Sequence, residues 1–178
     1  MKLKNYQETI EVPQGVTVNL EKGVLTVKGK RGELKRNFYN PKVKMGLEGN
    51  TIKFSLTVMS KKEKTQLGSI VAHIKNMLTG VTQGFVYKLK ICPGHFPMAV
   101  SVKNRELTIK NFIGEKIPRI LILNPDVKVI VEGEFITVEA NDIEIAGQTS
   151  GLIEKLGSRN GFDPRVFQQG IFITQKPS

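Results

Sequence analysis

The sequence aligns with itself at an offset of about 82 residues, and this internal repeat limits the available folds more than any other feature. Leu25-Thr-Val-Lys28, for example, is matched by Leu107-Thr-Ile-Lys110. Self-similarity at a fixed period indicates one structural unit built twice, so we predict two tandem copies instead of one large sheet. The other matched pairs are Val16–Leu20 with Met98–Val102, Gly32-Glu33 with Gly114-Glu115, Val43–Met45 with Val127–Val129, and Gln66, Ile70 and Ile74 with Gln148, Leu152 and Leu156.

Each copy has the pattern of several strands followed by one helix. Apolar residues alternate with polar ones through Val43, Met45 and Leu47, which is the period of a half-buried strand. Turns are predicted at Gly49 and at Gly133, because glycine tolerates the backbone angles that tight turns need. One helix on a mainly antiparallel sheet, present twice, is an α+β architecture.

The helix boundaries follow from capping residues. Ser60-Lys-Lys-Glu63 is a capping box and predicts the start of the first helix, and Gly80 is its predicted end. The second helix is predicted from Asp142 to Gly157. Because Pro and Gly residues interrupt the strand pattern after Cys92, we predict one domain over 1–92 and a second over 93–178.

The charge is strongly positive and unevenly distributed. The chain has 27 Lys and Arg against 16 Asp and Glu, a formal net charge of +11. Residues 1–97 hold 17 of the cations and 6 of the acids, so the excess lies in the first half. Such a field attracts polyanions, of which nucleic acid is the commonest. The alternative is a set of solvated lysines that only keeps the protein soluble.

The residues that catalysis or metal binding would need are scarce. There is one Cys and there are two His, so Cys92 and His95 make at most half of a zinc site, which needs about four ligands. The sequence contains no nucleophile elbow, P-loop or dinucleotide-binding motif. We predict neither enzymatic activity nor a cofactor; a small enzyme that uses His95 or Cys92 is the alternative. No apolar run approaches the ~18 residues of a membrane span, so no membrane partner is predicted.

Two segments are candidates for RNA contact. The first is basic and contains Gly29-Lys-Arg-Gly32, a pattern resembling the GxxG loops that clamp phosphates. The alternative for this segment is a solvated hairpin tip. Its candidate RNA-binding residues are Lys28, Lys30, Arg31, Lys35 and Arg36.

The second segment is Gly157–Ile173, which has no counterpart at the end of the first copy. Its Arg residues can contact phosphate, its amide side chains a base or sugar edge, and its three Phe residues can stack on unpaired bases. The alternative is a tail strand anchored by Phe167, Ile171 and Ile173.

Three stretches resemble a known family: Asn76–Phe85, His95-Phe-Pro97 together with Asn111–Lys116, and Asp163–Phe172. On these motifs the chain resembles ribosomal protein six of the large subunit, in its archaeal and eukaryotic branch. The resemblance covers essentially the whole chain and implies two duplicated α+β domains with a structural function.

The resemblance also implies partners and site residues. It implies binding to large-subunit ribosomal RNA close to the sarcin–ricin loop, where translational GTPases act, beside neighbouring ribosomal proteins in the cytoplasmic ribosome. In the family the C-terminal domain makes the main RNA contacts, although the net charge of this chain lies in its first half. Gln169 departs from the pattern, because the family usually has an acid before the glycine at 170. The alternative function is a free-standing basic RNA-binding or ribosome-assembly protein. The residues carried over from the family are Lys155, Arg159, Arg165 and Gln168.

Overall fold

The computed structural model describes residues 3–163 and 165–177 and divides the chain into two compact units, Met1–Gly84 and Phe85–Ser178. Unit 1 contains two three-stranded antiparallel sheets, with strand orders β1-β6-β5 and β2-β3-β4, and one helix. Its elements are β1 Leu3–Glu11, β2 Thr17–Glu21, β3 Val24–Gly29, β4 Gly32–Asn37, β5 Lys44–Glu48, β6 Thr51–Met59 and α1 Lys61–Thr82.

Unit 2 repeats this arrangement and extends it. One sheet has the order β10-β9-β8, and the other has the order β11-β12-β7-β13, again antiparallel. Its elements are β7 Phe85–Cys92, β8 Ala99–Lys103, β9 Glu106–Lys110, a 3-10 turn Phe112–Gly114, β10 Arg119–Ile122, β11 Val127–Glu132, β12 Phe135–Ala140, α2 Ile143–Leu156 and β13 Gly170–Gln175.

The α+β class and the duplication are confirmed, with two small sheets in each unit where a single sheet was predicted. The sheet β1-β6-β5 corresponds to β7-β12-β11, and β2-β3-β4 corresponds to β8-β9-β10. Both predicted turn glycines have a φ of +58°, at Gly49 and at Gly133. The fourth strand of the larger sheet of unit 2, β13, has no equivalent among the described residues of unit 1.

The domain boundary falls earlier than the sequence predicted. The strand Phe85–Cys92 was assigned to the first domain, which was expected to end at Cys92. In the structure this strand pairs with β12 and β13, so it is the first strand of unit 2 and the counterpart of β1. The Pro and Gly residues after Cys92 lie in a loop within unit 2 and do not separate the units.

One matched pair from the repeat is wrong, and the reason is an insertion. Thr26 of β3 pairs with Lys35 of β4, whereas its counterpart Thr108 of β9 pairs with Ile120 of β10. Lys35 and Ile120 are therefore equivalent positions. Gly114-Glu115 belong to a connection over 111–118 that is longer than the two-residue turn between β3 and β4.

Each unit has its own apolar core, formed by its helix and the inner faces of both sheets. In unit 1, Leu25 and Val27 of β3 meet Ile52 of β6 and Ile74 of α1, all fully buried. In unit 2, Leu107 and Ile109 of β9 lie in one core with Ile136 of β12 and Ile153 of α2. The inward-facing residues alternate along these strands, as a pleated sheet with one covered face requires. Among the described residues, no helix has both the length and the apolar character needed to cross a membrane.

The predicted helix starts are confirmed, and one predicted end is wrong. Ser60 and Glu63 form the capping box of α1, and Asp142 accepts a hydrogen bond from the backbone N–H of Glu144 at the start of α2. α1 continues past the buried Gly80 to Thr82, and it is Gly84, with a φ of +76°, that turns the chain away. α2 ends at Gly157, as predicted.

Candidate nucleic-acid interface

The two additions that distinguish unit 2 from unit 1 meet at one surface. The first is the connection over 111–118, and the second is the segment over 158–175 that follows α2. Ile113 of the connection lines a groove together with Phe162, Phe167 and Gln169 of the C-terminal segment. Because the duplicated fold forms without either addition in unit 1, their meeting marks this surface as the candidate site.

The connection over 111–118 has an unusual backbone. Asn111, Ile113 and Gly114 have φ values of +58°, +51° and +76°. A positive φ is costly for a β-branched residue such as Ile113, so the surrounding contacts must enforce it. Phe112 anchors the connection because its side chain is buried, and Asn111 donates from Nδ2 to the carbonyl oxygen of Pro97 over 2.9 Å.

Arg119 holds the two additions together. Its Nε and Nη2 donate to the two carboxylate oxygens of Glu115 over 2.8 and 2.7 Å. Its Nη1 donates to the carbonyl oxygens of Leu156 and Ser158, each over 2.7 Å. The guanidinium also lies 4.1 Å from the ring centre of Phe112. Hydrogen bonding from Arg119 lowers the pKa of Glu115, so the pair stays charged.

The segment after α2 begins with a stacked cation and two aromatic rings. The guanidinium of Arg159 lies 4.5 Å from the ring centre of Phe162. Phe162 and Phe167 pack edge to face, with ring centres 4.8 Å apart. Both rings remain partly exposed, at 37% and 46%. An exposed aromatic face beside a guanidinium is the kind of surface on which unpaired bases stack.

Arg165 is exposed and paired with a neighbouring acid. Its Nε and Nη2 donate to the carboxylate of Asp163 over 3.2 and 3.1 Å, while 90% of its side chain is accessible. These hydrogen bonds lower the pKa of Asp163. Asp163 also accepts the backbone N–H of Arg165, and its carbonyl oxygen accepts that of Phe167 over 2.9 Å. An exposed ion pair is worth little, so Arg165 can exchange this partner for a phosphate at small cost.

The remaining C-terminal candidates differ in position. Gln168 is exposed and lines a groove with Cys92 and His95. Lys155 is exposed on the last turn of α2. Gln169 lies against Gly94, so a side chain at position 94 would require the Gln169 amide to move.

The five candidate cations of residues 28–36 do not form one cluster. Lys28 and Lys35 share Glu33, with Nζ–carboxylate distances of 3.2 and 2.9 Å. Hydrogen bonds from these two lysines lower the pKa of Glu33, and the bond to Glu33 raises the pKa of Lys35. The two lysines therefore face outward but are partly neutralised by one acid.

The other three cations point elsewhere. Arg36 lies 5.8 Å from the ring centre of Phe38, on the opposite face of β4 from Lys35. The backbone N–H of Arg31 donates to the carbonyl oxygen of Val81 over 3.1 Å, so this amide is already used within the unit. Lys30 is exposed at the turn. The GxxG-like turn is thus packed on the end of α1, and not every member of the pattern is available to phosphate.

Sequence reasoning missed Arg119, which organises the surface. It was not among the candidates because it stands alone after Pro118, outside the basic stretch and outside the C-terminal segment. The nearest sequence motif was Asn111–Lys116, one of the stretches that carry the family resemblance, and it ends shortly before Arg119. Only the contacts to Glu115 and to the end of α2 reveal its function.

Comparison with known proteins identifies the family. The sequence model of the family described as "Ribosomal protein L6" matches residues 12–84. A large ribosomal subunit protein uL6 from Sulfurisphaera tokodaii is 44% identical over 177 residues, covering 99% of this chain and 95% of that protein. The uL6 of Methanosarcina mazei is 40% identical over 98% of this chain and 99% of that protein. The uL6 of Saccharolobus solfataricus is 42% identical over 99% of this chain and 98% of that protein.

The chain belongs to the uL6 family. The alignment with the Sulfurisphaera tokodaii protein extends over both units, so the longer connection over 111–118 and the C-terminal segment lie within the aligned length. uL6 proteins are structural and not enzymatic, which agrees with the prediction made from the scarcity of catalytic residues.

Proposed function

We propose that the chain is a structural constituent of the large ribosomal subunit. In this proposal it binds ribosomal RNA near the sarcin–ricin loop, beside the site of the translational GTPases and next to other ribosomal proteins in the cytoplasm. Its relatives are named as large-subunit proteins, which supports the subunit assignment. The sarcin–ricin neighbourhood rests on the motif resemblance.

The observation that carries the RNA-binding surface is the convergence of the two additions of unit 2. The surface presents Arg159 stacked on Phe162, the exposed Arg165, and the partly exposed ring of Phe167. Arginine supplies charge for phosphate and a plane for stacking, and the Phe ring supplies a second plane. Folded RNA is recognised mainly through its shape and its unpaired bases, so a rigid platform of this kind is suitable.

The test is a binding titration of the full-length chain against a large-subunit RNA fragment that contains the sarcin–ricin loop, at several salt concentrations. Arg159→Ala and Arg165→Ala are each expected to weaken binding. Each should also reduce the slope of log K against log salt by about 1 if its side chain neutralises a phosphate. The matched control is Lys28→Ala, which removes an exposed cation of unit 1 and should leave the slope unchanged.

The alternative, a free-standing basic RNA-binding or assembly protein that uses residues 28–36, makes the opposite prediction. Under it, Lys28→Ala and Lys30→Ala would reduce the slope while Arg165→Ala would not. Lys35 and Arg36 lie on opposite faces of β4, so the cations of residues 28–36 do not present one continuous surface to phosphate. A chain that also failed to co-sediment with large subunits would count against the main proposal.

A further inference from the structure

Strand β10 carries exposed aliphatic side chains that the core of unit 2 does not use. Ile120 is 54% exposed and Ile122 is 78% exposed, and both lie on the outward face of the strand. Ile117, just before the strand, is 81% exposed. Single exposed isoleucines are ordinary, but a row of them on one strand indicates an interaction surface.

The repeat provides an internal control for this observation. Lys35 and Asn37 of β4 occupy the positions equivalent to Ile120 and Ile122, as judged from their partners on the middle strand. The fold therefore forms with a cation and an amide at these positions. The isoleucines of β10 are not required by the architecture, so another explanation is needed for them.

The free edge of β10 is suited to pairing with another strand. Among residues 3–163 and 165–177, β10 hydrogen-bonds to β9 and to no second strand. An edge strand presents backbone donors and acceptors that an extended segment can complete. The other sheet of unit 2 already shows such an addition, because β13 pairs along β7.

The charges around the isoleucines indicate which kind of partner this strand would bind. Exposed Lys103 and Lys110 share the outward face of this sheet, and exposed Lys116 precedes β10. Glu106 lies opposite Lys103 on one side and opposite Ile122 on the other, so the outward face carries one acid beside these lysines. A second copy of the chain would bring like charges together, and an RNA backbone would leave the isoleucines without apolar partners.

We infer that the edge of β10 binds an extended segment of a neighbouring ribosomal protein, with aliphatic residues at alternate positions and acidic residues beside them. This inference rests on the proposed function, because the large subunit supplies the neighbour. Alternate side chains of the added strand would pack on Ile120 and Ile122, and its acids would meet Lys110 and Lys116.

The direct test uses photo-crosslinking in assembled particles. p-Benzoylphenylalanine is introduced at position 122 of the full-length chain, and in a separate chain at the equivalent position 37 as a control. Large subunits that contain each chain are purified and irradiated, and the crosslinked peptide is sequenced by mass spectrometry. The expected result is a crosslink from position 122 to an acidic, extended segment of another ribosomal protein, and none of this kind from position 37.

The inference would be overturned if position 122 crosslinked only to RNA or only to a second copy of the chain. It would also be overturned if position 122 formed no crosslink. Co-sedimentation separates this outcome from failure of the proposed function. A chain that sediments with the subunit but forms no protein crosslink overturns only the β10 inference, whereas a chain that does not sediment overturns both.

A second measurement uses the residues of unit 1 as a template. Ile120→Lys combined with Ile122→Asn copies Lys35 and Asn37 onto β10, which the fold already accepts in unit 1. Unfolding stability and affinity for the RNA fragment should be unchanged, while the fraction retained on subunits after a high-salt wash should fall about tenfold. Retention equal to that of the unaltered chain would contradict the inference.

Discussion

The backbone N–H of Arg31 donates to the carbonyl oxygen of Val81 across 3.1 Å, joining the turn between β3 and β4 to the end of α1. The last carbonyl groups of a helix lack partners within the helix, so this bond satisfies one of them. The Arg31 side chain also lies against Gly84, 2.7 Å from the position that a Cβ would occupy there. α1 has no basic residue in its last turn, and Arg31 supplies a cation to that end of the helix dipole.

Gly29→Ala is expected to destabilise unit 1 by about 1–3 kcal/mol, the usual cost of forcing atoms into a packed site. A Cβ at position 29 would lie 2.7 Å from the carbonyl oxygen of Val81 and 2.8 Å from its Cγ2. The measurement is the free energy of unfolding from urea titration of the full-length chain. The control is Gly46→Ala in β5, where nothing lies within 4 Å of the new Cβ. Equal effects of the two substitutions would show that the turn does not pack tightly on α1.

Glu63 makes the free energy of unfolding depend on pH in the acid range. Hydrogen bonds from Ser60, then from Lys42, lower the pKa of Glu63 from 4.5 to about 2. A carboxyl whose pKa is lower in the folded state stabilises fully above its unfolded pKa and loses that contribution as the pH falls through the folded value. The free energy of unfolding should therefore decrease as the pH is lowered from about 4.5 to about 2.

Glu63→Gln should reduce this decline, because glutamine keeps the capping geometry but does not titrate. Denaturant titrations of both chains across this pH interval provide the measurement. If both chains lost stability with the same pH slope, Glu63 would not be a source of the acid sensitivity.

Arg119→Ala should destabilise unit 2 by about 2–3 kcal/mol, because several hydrogen bonds to a carboxylate and to helix-end carbonyls are lost together. Its side chain is 23% exposed, so solvent replaces these contacts only in part. Arg119→Lys should restore less than the full stability, because lysine lacks the planar fork that binds Glu115 and the end of α2 together.

Arg119 is a positioning residue, and the salt dependence of RNA binding distinguishes this from direct contact. Arg119→Ala should weaken binding to the RNA fragment while leaving the slope of log K against log salt unchanged. A slope reduced by about 1 would instead show that Arg119 neutralises a phosphate itself.

Phe167→Ala should weaken RNA binding about 5- to 150-fold, which corresponds to the loss of stacking on one base. The ring is 46% exposed beside Phe162, so its loss should affect folding less than binding. Affinity for the RNA fragment at fixed salt is the measurement. Phe135→Ala, which removes a ring 50% exposed on β12, is the control and should leave affinity unchanged. Equal losses from both variants would argue against a specific stacking site.

Much of the fold could be read from local patterns. The period of Val43, Met45 and Leu47 and the Ser60–Glu63 capping box depend on neighbours in the chain, so the strand and the helix start were predictable. The end of α1 was not, because the buried Gly80 continues the helix and Gly84 ends it. The assignment of Phe85–Cys92 to unit 2 depends on pairing with strands that come about 45 to 85 residues later, which no local pattern contains.

The candidate site, like the fold, was predictable from the sequence only in part. The residue types of the C-terminal segment predicted RNA contact, and Arg159, Arg165, Lys155 and Gln168 are all exposed in the structure. The five cations of residues 28–36 looked like one group because they are close in sequence. On a pleated strand, however, successive side chains face opposite sides, so Lys35 and Arg36 diverge.

The sequence by itself determined the duplication, the α+β class and the family, because these depend on the order and period of residues along the chain. Only the tertiary structure decided which residues share a surface. Arg119 binds Glu115 and the end of α2 at once, and the isoleucines of β10 are exposed where their counterparts are Lys35 and Asn37. Such contacts depend on strand register and on the packing of segments far apart in sequence, and neither is encoded in any short stretch.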